Sequence, residues 1–233
     1  TLDNEGVPDA LHNLALMYAN GYYVNVSIDT AFDYYERAHL KGWAPSTYEI
    51  GNLYYNGYVD GEVDYKTAAD FYQLAADLDY PPAIYSLGWM YQFGEAREQD
   101  GDKALELYMK AADLDDPPAL NQLGLIFSEP ENDQFDIVKG RAYYEKAYEL
   151  GDFYAPLNLA RTYNYYVNYT DYSEAIAVLP NNLKEDILLA REWYQKAINR
   201  GFNEDSFEQE IRSIYNRASR KDRAKIKQTL IAD

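Results

Sequence analysis

The side chains that most often carry out chemistry in proteins are scarce in this sequence. Its only histidines are His12 and His39, and they do not have the His-x-x-x-His spacing of a helical zinc site. Cysteine is absent, which excludes thiol nucleophiles and thiolate metal ligands. The chain contains neither a glycine-rich phosphate loop nor a Gly-x-Ser-x-Gly nucleophile turn. We therefore predict no catalytic residue, no metal ligand and no cofactor, and we assign both histidines to the surface or to packing.

Carboxylates are the abundant functional group, with 39 acidic residues against 21 basic ones and a formal net charge of -18. Acidic clusters at residues 113–116 and 129–133 could bind calcium weakly, but neither has the spacing of an EF-hand loop. An acidic surface repels nucleic acid and anionic membranes and accelerates encounter with a basic protein. The charge could equally serve only to keep an extended surface soluble. No apolar run is long enough to predict a transmembrane helix.

The elements that must position any functional side chain are indicated by an internal repeat. One pattern, small-x-x-x-apolar-small-x-x-aromatic, occurs five times. Its copies are Ala10/Leu14/Ala15/Tyr18, Ser46/Ile50/Gly51/Tyr54, Ala83/Leu87/Gly88/Tyr91, Ala119/Leu123/Gly124/Phe127 and Ala155/Leu159/Ala160/Tyr163. The small residue after the apolar one recurs at intervals of 36, 37, 36 and 36 residues. This constant period predicts a chain built from one repeated structural unit.

A second pattern, small-x-x-aromatic-Tyr-x-x-Ala with one leucine in place of the aromatic residue, follows each copy of the first. Its copies are Ala31/Tyr34/Tyr35/Ala38, Ala68/Phe71/Tyr72/Ala75, Ala104/Leu107/Tyr108/Ala111, Gly140/Tyr143/Tyr144/Ala147 and Ala190/Trp193/Tyr194/Ala197. Both patterns place apolar residues three and four positions apart, on one face of an amphipathic helix. Each unit is therefore a predicted helix pair that buries its apolar face against its neighbours, as in an α-solenoid.

Glycine and proline mark the predicted helix boundaries. Gly42, Gly151 and Gly201 follow second helices, where a left-handed residue commonly ends the helix. The pairs Pro81-Pro82 and Pro117-Pro118 are placed just before first helices. Asp29-Thr30 is a candidate N-cap of the second helix of the first unit.

These two patterns resemble the Sel1-like repeat family, a relative of the tetratricopeptide repeats, over about residues 8–202. The resemblance implies a right-handed superhelix whose concave side is lined by the first helix of each pair. Members of the family resemble adaptors and binding scaffolds in bacterial secretion, virulence and envelope biology. Some are small, acidic and often periplasmic antidotes to phospholipase effectors, which links them to type VI secretion. The cysteine-rich secreted branch of the family has a disulfide in every repeat, and this chain departs from that branch.

By analogy with the tetratricopeptide pattern, the concave positions are two before and two, five and six after the apolar residue of each first helix. They are rich in tyrosine, tryptophan and asparagine, a composition that favours protein recognition. The predicted partner-binding residues are Tyr48, Asn52, Tyr55, Asn56, Tyr85, Trp89, Phe93, Asn121, Leu125, Arg161 and Tyr165. Of these, Trp89, Tyr85 and Tyr55 are the expected central anchors. The alternative is that some of the aromatic residues only fill a tightly wound superhelix.

Two segments depart from the repeat. An insertion at about residues 164–189 of the fifth unit contains Ser173–Leu179, which could form a short helix, and either contacts a partner or packs against the C-terminal cap. Residues 1–202 are the predicted repeat array and residues 203–233 a helical cap that covers the last apolar face. The cap carries a basic run between Arg212 and Lys227, interpreted as the exposed face of a terminal helix.

The sequence therefore predicts an all-α protein that binds another protein and is not an enzyme. The favoured hypothesis is a bacterial immunity protein that captures a secreted effector toxin with a basic surface. An adaptor or virulence scaffold is the alternative, and a hydrolase is the remote one. We expect no nucleic acid, no membrane insertion and a monomer in isolation. We favour the periplasm over the cytoplasm as the location. The first residues do not have the pattern of a signal peptide, so a periplasmic location implies that a signal peptide had been removed.

Overall fold

The computed structural model describes residues 6–168 and 183–203, with the side chains of residues 6–163 and 188–203. Within these ranges the chain forms ten α-helices and no strand, which confirms the predicted all-α class. The helices are α1 (Pro8–Asn20), α2 (Ile28–His39), α3 (Ala44–Tyr55), α4 (Tyr65–Ala76), α5 (Pro81–Phe93), α6 (Gly101–Asp113), α7 (Pro117–Ser128), α8 (Ile137–Glu149), α9 (Ala155–Asn168) and α10 (Leu183–Asn199). They form two compact units, Thr1–Ala119 and Leu120–Asp233.

In each unit, helices pack against their neighbours in the sequence. The first unit contains the pairs α1/α2, α3/α4 and α5/α6, and these pairs stack through contacts of α2 with α3 and of α4 with α5. In the second unit, α8 packs on α9 and α9 on α10. Helix α7 contacts α8 through the rings of Phe127 and Tyr143, whose centroids are 5.6 Å apart. Packing between sequence neighbours is the arrangement of an α-solenoid, as the repeat predicts.

The repeat positions form the core. The tyrosine that ends the aromatic pair of each second helix is at most 2 % exposed; these residues are Tyr35, Tyr72, Tyr108, Tyr144 and Tyr194. In the three middle repeats, this ring lies against a glycine of the first helix. A Cβ atom on Gly51, Gly88 or Gly124 would lie 2.6, 2.8 or 2.5 Å from the nearest ring atom. Glycine is therefore needed for close helix contact, while Ala15 and Ala160 occupy the same position, fully buried, in the outer repeats.

Four of the second helices, α2, α4, α6 and α8, begin at a residue whose side chain caps the helix. These capping residues are not part of the two sequence patterns. Ser27, Asp64, Asp100 and Asp136 each accept a hydrogen bond from the backbone N–H three residues later. The predicted cap Asp29-Thr30 is therefore wrong. Both residues lie in the first turn of α2, and Ser27, in an extended conformation, caps Thr30.

Left-handed residues follow all five second helices, which confirms the prediction for Gly42, Gly151 and Gly201. Asp79 and Asp115 take this conformation in the two units that lack the glycine, with φ of 53° and 60°. The proline pairs lie inside the first turns of α5 and α7 and not before them. Proline fits there because the first helical N–H has no partner within the helix.

Both histidines connect the first repeat to the second. His12 Nδ1 in α1 lies 3.0 Å from Ser46 Oγ, and His39 Nδ1 in α2 lies 2.8 Å from Thr47 Oγ1. Ser46 and Thr47 are buried in α3. Burial lowers the pKa of His12. The two side chains are thus interhelical contacts, as their assignment to packing predicts.

The predicted insertion is partly helical. Residues 164–168 continue α9, and residues 183–189 are the first residues of α10. The rest of the insertion, including the predicted short helix at Ser173–Leu179, lies outside the described residues, as does the predicted cap from residue 204 onward. No helix in the described part of the chain is long and apolar enough to span a bilayer.

Candidate functional site

The first unit contains a groove of about 470 Å³ between α3 and α5, the first helices of the second and third repeats. We call it the α3–α5 groove. Its lining comprises Tyr48, Glu49, Asn52, Leu53, Tyr55, Asn56, Tyr58, Tyr72, Tyr85, Ser86 and Trp89. Six of the predicted partner-binding residues are among them, including all three expected anchors. The groove is within the size range of ligand pockets and is lined mainly by aromatic and amide side chains.

The aromatic residues of the groove are held by the core tyrosines beneath them. Tyr48 contacts the ring of Tyr72 with centroids 5.4 Å apart, and Tyr85 contacts Tyr108 at 5.5 Å. The residue at the same position of the first repeat, His12, contacts Tyr35 at 5.6 Å. The ring at this position, His12, Tyr48 or Tyr85, therefore packs against the core tyrosine of its own repeat. Tyr48 and Tyr85 are partly exposed and also line the groove.

A chain of hydrogen bonds crosses the groove floor. The Tyr72 hydroxyl donates to Asn52 Oδ1 at 2.7 Å, and Asn52 Nδ2 donates to Glu49 Oε2 at 3.1 Å. Tyr72 was predicted only as a packing residue. Its ring is buried as predicted, but its hydroxyl orients the polar groups of the site.

Glu49 is the acidic residue of this floor. Burial raises the pKa of its carboxyl, and the hydrogen bond from Asn52 lowers it in part. The carboxylate also acts on its neighbours: burial and then the Glu49 charge raise the pKa of Tyr80 to about 12. Burial disfavours the charged form of a carboxyl, so the negative charge of ionised Glu49 is poorly solvated at this site.

One of the lining residues, Tyr55, is bound to a second carboxylate, which does not itself line the groove. The Tyr55 hydroxyl donates to Glu95 Oε2 at 3.0 Å, and burial and then this bond raise the pKa of Tyr55 to about 12. Trp89 contacts Phe93 with ring centroids 4.4 Å apart. Phe93, predicted to bind the partner, is 52 % exposed and extends the aromatic surface beyond the lining of the groove.

The remaining predicted site residues belong to the second unit. Leu125 and Arg161 line a smaller cavity of about 180 Å³ together with Asn158 and Glu129. Asn121 accepts a hydrogen bond of 3.0 Å from Asn158 Nδ2 and so lies beside this cavity. The side chain of Tyr165 lies outside the described residues.

The concave positions taken from the tetratricopeptide pattern missed one position. Glu49 and Ser86 line the groove, and each directly precedes the apolar residue of its first helix. Asn158, which lines the cavity of the second unit, occupies the same position of the fifth repeat. This position is polar in every repeat, with Asn13 and Gln122 in the other two, so the repeat alignment contains a signal that could have found it.

The groove presents polar and aromatic side chains side by side. It offers ring faces, amides and a carboxylate to a ligand and places no histidine beside the carboxylate. Among the described residues, no group of three or more histidine or acidic side chains is arranged to hold a metal ion.

Three known structures illustrate the similarity of this fold to solved proteins. A Sel1 repeat protein from Oxalobacter formigenes has a TM-score of 0.69 at 23% identity, with 84% of this chain and 74% of that chain covered. The protective antigen c5321 of uropathogenic Escherichia coli has a TM-score of 0.67 at 24% identity, with 91% of this chain but only 41% of that chain covered. The immunity protein PA5088 from Pseudomonas aeruginosa has a TM-score of 0.59 at 24% identity, with 89% and 69% covered. Comparison with curated proteins gives no match.

The model of the Sel1 repeat family matches residues 8–42, 44–80, 81–116, 117–152 and 181–202. The first four segments coincide with the first four repeats identified from the small and aromatic residues, and the fifth covers the second helix of the fifth repeat but not the first. Together the segments include most of the chain. Sel1 repeats form a protein-interaction fold that is generally not catalytic, which agrees with a groove of aromatic and amide side chains. The chain belongs to the Sel1 repeat family.

Proposed function

We propose that this chain is an immunity-type inhibitor that binds a basic effector protein through the α3–α5 groove and carries out no reaction itself. The observation that carries the proposal is the groove, which is lined by partly exposed aromatic residues and by the carboxyl of Glu49, whose pKa burial raises. Aromatic anchors contribute much of the binding energy in protein interfaces because they bury large areas at small entropic cost.

Two further observations support an inhibitor. The net charge of -18 favours rapid capture of a basic protein. An immunity protein of Pseudomonas aeruginosa also has this fold, and the present chain covers 69% of it. A monomeric inhibitor in the periplasm, acting on an effector delivered there, is the arrangement we favour.

The proposal is tested by co-expression with the candidate effector encoded beside this protein's gene. The effector alone should arrest growth, and this chain should restore growth and form a complex of equal stoichiometry with it. The double variant Tyr85→Ala/Trp89→Ala should lose the rescue and weaken the complex by at least about 100-fold, because two anchor side chains are removed. Isothermal calorimetry measures the affinity.

Tyr22→Ala is the matched control, because Tyr22 is 59 % exposed and lies outside the groove. The control should keep both the rescue and the affinity. The double variant should melt within a few degrees of the native protein, since each roughly 1 kcal/mol lost lowers Tm by only about 2–4 °C at this chain length. A large fall in Tm with unchanged affinity would show that Tyr85 and Trp89 are core residues.

Two other experimental results would favour the alternative functions, an adaptor or scaffold and a hydrolase. Several partners captured below equal stoichiometry would favour an adaptor or virulence scaffold. Turnover of a hydrolytic substrate by the purified chain would favour a hydrolase.

A further inference from the structure

The α3–α5 groove contains a carboxylate without a counter-ion in the described part of the chain. Glu49 accepts one hydrogen bond, from Asn52 to Oε2, and no described residue donates to Oε1 or forms an ion pair with either oxygen. The groove lining includes no lysine and no arginine. The ion pairs Arg97–Asp70, Lys103–Glu106 and Lys110–Asp79 of the first unit do not involve Glu49.

The position of the Glu49 carboxylate is fixed. Asn52 uses its amide nitrogen for Glu49 and its amide oxygen for the Tyr72 hydroxyl, so neither Asn52 nor the carboxylate is free to rotate without losing a hydrogen bond. The remaining oxygen can accept a charge-assisted hydrogen bond from a ligand without rearrangement of the floor. Such preorganisation reduces the entropic cost of binding.

Aromatic rings on both helices line the same groove as this carboxylate. Tyr48, Tyr55 and Trp89 line the groove together with the floor residue Tyr72. A cation over the face of a tyrosine or tryptophan is stabilised by the ring, most of all where water is excluded. The second unit shows this preference inside the chain itself. There, Lys196 Nζ lies 3.6 Å from the centroid of the Trp193 ring, and Arg141 Cζ lies 3.7 Å from that of Tyr163.

We infer that the α3–α5 groove receives one exposed basic side chain, lysine or arginine, of the partner protein, with the cation bound between Glu49 Oε1 and the surrounding rings. The inference rests on the proposed function, because it names the chemistry by which the groove recognises its partner. A long aliphatic stem would lie against the aromatic rings while its cationic head reaches the carboxylate.

The first experiment uses a blocked peptide, acetyl-Gly-Arg-Gly-amide, and the same peptide with citrulline in place of arginine. Citrulline has nearly the same shape but no charge. In titrations followed by NMR, the indole N–H signal of Trp89 should shift with the arginine peptide, and the signals of Trp43 and Trp193 should not. The arginine peptide should bind about fivefold to tenfold more tightly than the citrulline peptide.

The variant Glu49→Gln isolates the charge, because glutamine keeps the shape and can still accept the hydrogen bond from Asn52. In this variant the preference for arginine should fall to the smaller part that the aromatic rings supply, whereas Glu36→Gln, at an exposed position on α2, should keep the full preference. Equal binding of the two peptides to the native protein, or no shift of the Trp89 signal, would overturn the inference.

The second experiment uses the effector that forms the complex under the proposed function. Glu49→Gln should weaken the complex at least tenfold, mainly through faster dissociation. If Tyr85→Ala/Trp89→Ala weakens the complex and Glu49→Gln does not, the groove binds the partner but not through a cation. If no effector is inhibited, the proposed function fails while the peptide titration still decides what the groove recognises.

Discussion

Among individual residues, Glu49 combines a cost in stability with a place in the binding groove. Its buried carboxyl has a raised pKa, so ionising it at neutral pH is less favourable in the folded chain than in the unfolded chain. Its charge acts on the hydroxyls of Tyr35 in α2, Tyr72 in α4 and Tyr80 before α5, whose pKa values are all raised first by burial. Groups that are unfavourable for folding are concentrated at functional sites.

Glu49→Gln should therefore raise Tm at neutral pH. In the native chain the pKa of Glu49 is higher in the folded state than in the unfolded state. Between these two pKa values the folded state binds more protons, so the contribution of Glu49 to the free energy of unfolding falls as the pH rises. The gain from the substitution should be largest above the folded pKa and disappear in acid, where both forms are neutral. Thermal melts of both proteins across this pH range measure the difference. A gain that is constant with pH would indicate a packing effect.

Sequence reasoning predicted the aromatic residues of the site but not this carboxylate. Tyr48, Tyr55, Tyr85 and Trp89 were found because they occupy the concave positions of the tetratricopeptide pattern, which the repeat resembles. Glu49 was missed because the position directly before the apolar residue is not among the concave positions taken from the tetratricopeptide pattern. In the folded chain, Asn52 and Tyr72 orient it at the groove floor through a chain of hydrogen bonds that spans two helices, and such a chain depends on side-chain positions that a spacing pattern does not contain.

Among the helices, the close contact of the first and second helices in the three middle repeats depends on a glycine against the ring of the buried tyrosine. The three middle repeats have glycine there and the outer repeats have alanine. The helices themselves were predictable from the sequence, since three- and four-residue spacing of apolar residues requires no tertiary information. The caps were missed because serine or aspartate lies four residues before the small residue of the second pattern, outside the patterns compared.

Gly88→Ala should destabilise the protein although alanine favours helices by about 1 kcal/mol. The new Cβ would lie 2.8 Å from the Tyr108 ring, which is fully buried and has no room to move away. Overpacking of this kind costs about 1–3 kcal/mol, so Tm should fall by at least a few degrees. Differential scanning calorimetry measures the change. Gly101→Ala is the control, since nothing lies within 4 Å of its Cβ position at the start of α6, and it should cause no loss.

At the scale of the whole molecule, the dominant property is charge. The excess of acidic residues gives a net charge of -18 over 233 residues. A field of one sign acts over distances longer than any contact and raises the rate of encounter with an oppositely charged protein. The fold class could be predicted from the sequence at this scale because one repeat determines every unit.

Association with the basic effector should slow by about tenfold or more when the ionic strength is raised from about 0.05 to 0.5 M, because salt screens long-range attraction. The dissociation rate should change much less, since the groove contacts are short-ranged and partly buried. Surface plasmon resonance at several salt concentrations measures both rates. An association rate independent of salt would show that the charge serves solubility alone.

The hydroxyl of Tyr72 has a consequence for how such proteins diverge. This one side chain both fills the space between two helices and orients the polar groups of the groove floor. When a repeat of this kind is duplicated, the copy therefore has both the stabilising contact and the groove. New preferences can then arise by exchanging the few half-exposed side chains around that surface while the buried tyrosine is left intact. Related repeat proteins can in this way share one scaffold, bind different partners and differ at only a few exposed residues.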